Sequence, residues 1–306
     1  MRTNGLSLSA LAVMGCLVAA AMPAGAKESS NAAPVAAGSY TVAGPEKKNG
    51  TEIYTINSGY QKGPCNLFVL LPDNYDKSKR YKVLYVLPCF TGGSPGLDEV
   101  RKLNLANKHN FIGVYPGYSA YPSPNGPWYG DHPTDPLIRC DSYLVEVIVP
   151  FVDKTYPTIA KPEGRIVIGF SKSGVGALQV FLRHIDVFGR MGAWDAPLLG
   201  GSEHPEYYGP RENFDKEFSA ANLLTRRLDL LKGKPARMAI AGPGPKGSMT
   251  GSSGAHELLD KLGIAHYSNL SLGGTHAWNS GWLGPLVDVL MADDMTKAPA
   301  GGAAQK

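Results

Sequence analysis

The chain has 306 residues, a net charge of +4 with its signs interspersed, and 43% hydrophobic residues. A nucleic-acid-binding role would need a clustered patch of Lys and Arg, whereas the short runs at Glu46–Lys48 and Lys77–Arg80 read as solvated turns. Beyond the N-terminal stretch no apolar run approaches the roughly 20 residues that span a bilayer, so neither a nucleic-acid partner nor a transmembrane segment is expected in the mature chain.

Residues 1–26 read as an export signal. Arg2 supplies a charged start, Leu6 to Met22 is apolar, and Ala24, Gly25 and Ala26 fit the small-residue cleavage rule. An uncleaved membrane anchor and lipoprotein processing at Cys16 are the alternatives. Export predicts a periplasmic or secreted protein. Residues 27–45, rich in Ala, Ser, Gly and Pro, read as a disordered lead-in. Residues 46–294 form the expected domain, and 295–306 a disordered tail.

Within the domain the predicted strands are, in chain order, "EIYTI", "CNLFVLLP", "KVLYVLP", "FIGVYP", "RIVIGF", "RMGAWDA", "ARMAIAG" and "HYSNLSLG". Several are continuous apolar runs, as strands buried on both faces require. Helices are expected to begin near Leu97, Asp141, Ser173, Asn222, Ser253 and Trp282. This alternation predicts an α/β fold with a mainly parallel central sheet and helices on both faces. The long Pro- and aromatic-rich stretch from Tyr118 to Arg139 is a candidate functional loop. Export leaves Cys65, Cys89 and Cys140, enough for one disulfide and an odd thiol. No CxxC, HExxH or EF-hand pattern occurs, and "GPGPKGSMTG" lacks the Walker spacing. No metal site and no cofactor is expected.

The sharpest local signal is "RIVIGFSKSGVGAL", Arg165 to Leu178. An apolar strand runs into Gly169, then Ser171, then a small-residue helix. A serine on such a turn stands clear of the sheet at the carboxyl ends of its strands, with small neighbours to admit the turn. The following helix presents backbone N–H groups to a developing oxyanion. Ser173 occupies the last position of the usual G-x-S-x-G pattern; as a nucleophile itself it has poorer spacing. A serine needs a base. His276, in "LGGTHAWNSGW" between the last strand and the last helix, has the position that the order Ser, acid, His demands. His132, in the aromatic loop, ranks second. His109, His184, His204, His256 and His266 read as ordinary histidines.

"GFSKSGVGAL", "GGTHAWNSGW", "YKVLYVLPCF", "PWYGD" and "VIVPFVDKTYP" together resemble the esterase family of α/β-hydrolases that includes esterase D-like, feruloyl esterase-like, enterochelin esterase-like and mycolyltransferase enzymes. The likeness runs from about Cys65 to Leu290. It implies the α/β-hydrolase fold, Ser171 as nucleophile and His276 as base. It also implies the backbone N–H of Lys172 as one oxyanion donor, and that of Phe90, with Cys89 next, as the other. One threonine is inserted before His276 relative to the family, and Pro88 stands where the family has histidine.

The family's acid follows the strand here written "ARMAIAG", and "PGPKGSMTGSSG" after it holds no carboxylate. Asp195, at the carboxyl end of "RMGAWDA", lies on the same sheet edge as Ser171. A neighbouring strand end lies about 4.8 Å away, so Asp195 is the expected acid, ahead of Asp131, Asp141, Glu257 and Asp260. Trp128, Tyr129, Trp278 and Trp282 are candidate walls of a substrate pocket, with core packing the plain alternative. The expected activity is that of an exported serine esterase acting on a small-molecule or polymer-linked ester. Acyl transfer through the same site and a non-catalytic binding protein of this fold are the rival readings.

Overall fold

The apolar runs assemble as one mixed sheet. The computed structural model describes residues 38–89, 93–119, 128–201, 204–244, 251–272 and 274–297. Its strands are β1 (Tyr40–Lys48), β2 (Thr51–Ser58), β3 (Cys65–Leu70), β4 (Lys82–Val86), β5 (Phe111–Pro116), β6 (Arg165–Phe170), β7 (Arg190–Trp194), β8 (Met238–Ala241) and β9 (Tyr267–Asn269). Their order across the sheet is β1-β2-β3-β5-β4-β6-β7-β8-β9. The first three and the β3–β5 pair are antiparallel, and all pairs from β5 through β4 to β9 are parallel.

Why the central strands lack polar alternation is visible in the two core layers. Val83 and Tyr85 of β4, Val167 of β6 and Ala193 of β7 pack into one layer. Their chain neighbours Leu84, Val86, Ile166, Ile168 and Trp194 pack into the other. Successive side chains point to opposite faces, and both faces are covered, so past the charged first residue every position of these strands is apolar. The helix Lys172–Arg183 covers the first face and Leu283–Met291 the second. Strand order reverses at β4, which has β5 on one side and β6 on the other. Open α/β sheets bind ligands beyond the carboxyl ends of the strands at such a point.

Two expected boundaries are corrected. Residues 40–45, assigned to a disordered lead-in, form the first part of β1, with Tyr40 opposite Ser58. Eight of the nine β1 residues are exposed, so backbone bonds to β2 hold this edge strand and its sequence carries little apolar signal. The tail also begins later than 295: Met295 is buried against the second core layer. The signal segment, Cys16 and the rest of the lead-in lie outside the described residues. Cys65, Cys89 and Cys140 are all buried free thiols, so no two of them form the disulfide that three cysteines would permit. Burial pushes the Cys65 thiol up to about 12. Among the described residues no helix is long and apolar enough to cross a membrane.

Because β1 buries so little side chain, deleting residues 1–48 is expected to leave a cooperatively folding protein. At about 2–4 °C per kcal/mol for a domain of this size, calorimetry should find Tm lowered by only a few degrees. Loss of the cooperative transition would show that β1 does more than edge the sheet.

Candidate active site

The strand β6 ends at Phe170, and Ser171 follows with φ 56° and ψ −129° before the helix Lys172–Arg183 begins. A serine in this left-handed region is strained, and the surrounding packing must hold it there. The glycines show how tight the turn is. A Cβ on Gly169 would lie 1.9 Å from the carbonyl oxygen of Ser173, and one on Gly176 would lie 2.0 Å from the Tyr129 ring. Ser173 is fully buried and closes the turn: its hydroxyl donates to the Phe170 carbonyl (2.8 Å) and accepts from the Phe170 N–H (2.9 Å). Its departure from glycine thus adds a brace across the elbow.

Asp195 is the residue after β7, with φ 44° and no exposed surface. Its N–H donates to the carbonyl of Ala241, the last residue of β8, at 3.0 Å. The chain therefore keeps pairing with β8 one residue past the strand, which puts Asp195 beside the strand end where the family's acid usually follows. Ser252, 56 positions from Ala196, supports it: its hydroxyl accepts from the N–H of Ala196 (3.3 Å) and donates to the Ala196 carbonyl (3.1 Å). Nothing local in the sequence marks this contact.

His276 joins the two. Its Nδ1 lies 2.6 Å from Asp195 Oδ2, and its Nε2 lies 2.9 Å from Ser171 Oγ. An ionised carboxylate only accepts, so Nδ1 carries the proton, and Nε2 is left to accept from the serine hydroxyl. The histidine is the most accessible member of the row. Asp195 is 0% exposed, Ser171 8%, and the His276 side chain 33%. The loop bearing His276 is folded on itself: Ser280 Oγ donates to the carbonyls of Thr275 (2.6 Å) and Ala277 (2.9 Å), and Trp282 Nε1 donates to Ala277 (2.8 Å). The inserted Thr275 is accommodated in this turn.

The expected pocket aromatics divide by burial. Tyr129 is fully buried, lies against Gly176 and donates its hydroxyl to the Pro88 carbonyl. It pins the elbow helix to the end of β4 and has no face for a ligand, which corrects its assignment as a pocket wall. Trp278, 8% exposed, packs edge-on to Phe170 and against Trp282, and Trp194 stacks on Trp282 at 5.1 Å. Phe170 in turn lies 4.5 Å from the His276 ring. Trp278 and Trp282 therefore form the floor of the histidine loop, their expected wall role giving way to packing. Trp128 stacks on His204 with ring centres 4.1 Å apart.

Phe90 lies outside the described residues. Its neighbour Cys89 is buried beside the elbow, and burial raises its thiol pKa while Lys172 opposes the rise. Lys172, as first residue of the elbow helix, has the backbone N–H that follows the serine. Asp131 and Asp141 are engaged elsewhere: Asp131 with Arg139 and Ser142, Asp141 with Arg183 and His184. His132 accepts from the backbone of Thr134 and Asp135.

A strained serine ahead of a helix, a late-loop histidine and a buried carboxylate at the carboxyl edge of a mostly parallel sheet are the arrangement of the α/β-hydrolases. Residues 58–290 match the model of the family described as "Putative esterase", and the chain belongs to that family. Esterase Rv1288 of Mycobacterium tuberculosis (strain H37Rv) is 28% identical over 166 residues, covering 53% of this chain and 33% of that protein. The chain thus spans about a third of the length of the curated relatives it matches. Among solved structures, the fluorophosphonate-binding serine hydrolase FphF of Staphylococcus aureus superposes with a TM-score of 0.61 at 15% identity, over 84% of this chain and all of that one (100%). The ferulic acid esterase AmCE1/Fae1A of Anaeromyces mucronatus does so with 0.56 at 19% identity, over 82% and 94%. At these identities the superpositions speak for the fold.

Burial also lowers the Lys172 ammonium to about 8, with Cys89 and Cys140 opposing the shift. A lysine depressed in the folded state destabilises it while charged, and the penalty is relieved as pH rises from about 8 toward the unfolded value of about 10.4. Lys172→Met, the residue the family motif has here, should therefore be more stable than wild type at pH 7. The gap should close between about pH 8 and 10.4. Urea melts across that range test this, and a gap independent of pH would contradict it.

Proposed function

We propose that this chain is a serine carboxylic ester hydrolase that works through an acyl-enzyme on Ser171. The observation that carries the reading is the unbroken hydrogen-bonded row from Ser171 through His276 to the buried Asp195. His276 Nε2 takes the hydroxyl proton as Ser171 Oγ attacks the ester carbonyl carbon, and the carbonyl becomes a tetrahedral oxyanion. The N–H of Lys172, at the positive end of the elbow helix, faces that charge, with Phe90 or Cys89 as the second donor. Collapse expels the alcohol, which receives the proton from His276. Water then gives a proton to His276 as it attacks the acyl carbon, and collapse of this second oxyanion releases the acid and returns that proton to Ser171 Oγ. Asp195 holds the imidazole in the tautomer that accepts from serine and stabilises the cation formed on it.

A non-catalytic binder of this fold would be expected to lack the triad acid, and the Asp195 carboxylate 2.6 Å from His276 favours the enzyme. The family membership supports an ester as substrate. The ferulic acid esterase among the structural neighbours suggests aromatic acyl esters as the first class to try. The composition of residues 1–26 supports action outside the cytoplasm, as a periplasmic or secreted enzyme.

Stopped-flow hydrolysis of p-nitrophenyl esters of increasing acyl length tests the mechanism. A burst of nitrophenol stoichiometric with enzyme is expected on the best substrates. Ser171→Ala should lose about 10⁶ in kcat, and Asp195→Asn about 10⁴ with the fold intact. Ser173→Ala should retain most turnover and lose about 1 kcal/mol of stability with its brace. Near-normal kcat in folded Asp195→Asn, or equal effects of the two serine substitutions, would contradict the assignment.

A further inference from the structure

We propose that His256, Asp260 and His266 form a binding site for a divalent transition metal of the zinc class, built from none of the residues of the catalytic row. His256 and Asp260 lie one turn apart on the helix Gly251–Leu262, and His266 stands just ahead of β9, after the turn at Gly263. One ligand atom from each lies within 4.8 Å of the others. His256 Nδ1 and His266 Nε2 are 2.8 Å apart. Asp260 Oδ1 is 4.0 Å from His266 Nε2, and Asp260 Oδ2 is 3.6 Å from His256 Nε2.

The hydrogen bonding prepares His266 as a ligand. Its Nδ1 lies 2.9 Å from the Ile264 carbonyl, which can only accept. Nδ1 therefore carries the proton, and in the neutral ring Nε2 holds a lone pair aimed at His256. A backbone carbonyl fixing one ring nitrogen so that the other can ligate is the usual support of a metal-bound histidine. His256 Nδ1–H fills the place of the ion by donating to that lone pair. When a metal enters, the His256 proton moves to Nε2, which faces Asp260 Oδ2. Nδ1 is then released to ligate, with Asp260 Oδ1 as the third ligand. Metal–nitrogen bonds of about 2.0–2.1 Å in a tetrahedron put the two nitrogens roughly 3.3 Å apart. A small swing of the His256 ring, whose side chain is 33% exposed, provides the extra half ångström or so.

Two imidazoles and one carboxylate suit zinc, copper(II) or nickel, and disfavour magnesium or calcium, which take oxygen ligands. Asp260 is 63% exposed and His266 5%, so the remaining coordination positions open to water on one side. The ion would clasp the end of the helix to the entry of β9. That helix grips Ala196 through Ser252 at its other end, and β9 leads into the loop that carries His276.

The test uses the whole purified chain, treated with chelator and dialysed. Titration with zinc chloride in a calorimeter should show binding of about one ion per chain, and zinc should raise Tm, since binding to the folded form alone stabilises it. Magnesium chloride should do neither. His256→Ala, at the more exposed imidazole, should weaken zinc binding at least tenfold and abolish the Tm rise while circular dichroism stays native. Asp260→Asn should weaken it less. Absence of zinc binding to wild type would overturn the proposal. Undiminished binding in both His256→Ala and Asp260→Asn would overturn it equally by placing the ion elsewhere. Neither result bears on hydrolysis at Ser171, which the ester assays read separately.

Discussion

One backbone hydrogen bond sets the geometry of the site. The N–H of Ser171 donates to the carbonyl of Trp194 at 3.1 Å, extending the β6–β7 ladder one step beyond the pairing of Phe170 with Trp194. Both chains leave the sheet at that step. Ser171 turns at φ 56° and Asp195 at φ 44°. Ser171 and Asp195 are therefore neighbours because their strands are neighbours in register, and each is aimed by a backbone conformation that L-residues rarely adopt. A shift of one residue in this register would send the side chains to the other face.

The third member comes from far along the chain and is placed by packing. The floor beneath His276 is Phe170, Trp194, Trp278 and Trp282, contributed by β6, β7 and the histidine loop itself. Aromatic contacts of this kind add to the area they bury. Because Phe170 and Trp194 immediately precede Ser171 and Asp195, the floor and these two residues share one rigid base. On the opposite side Tyr129 bridges Gly176 and Pro88, so the elbow helix cannot move relative to β4 without breaking a buried contact.

Much of this was legible in the sequence. All eight predicted strands formed, the central ones because a strand buried on both faces needs no alternation to be recognised, although β9 is only the three residues Tyr267–Asn269. Ser171 could be read because a strained strand-to-helix turn demands small residues in a fixed order. Asp195 could be read because parallel strands share an edge, even though the family pattern pointed one strand further on. Other features depend on information the local sequence lacks. β1 is exposed and polar, so nothing apolar announces it. Tyr129 and Trp278 look like pocket walls until the sheet assigns them a side. His256 and His266 become partners only through the turn at Gly263, and Ser252 reaches Ala196 only once the helix Gly251–Leu262, which follows β8, packs against the end of β7.

The account rests on Ser171 being an activated nucleophile, and covalent capture measures this most directly. Exposed to a fluorophosphonate probe, the folded protein should gain one adduct by intact mass. The modified peptide should contain Ser171, and Ser171→Ala should remain unlabelled. A wild-type protein that stays unmodified, or a label that persists in Ser171→Ala, would contradict it.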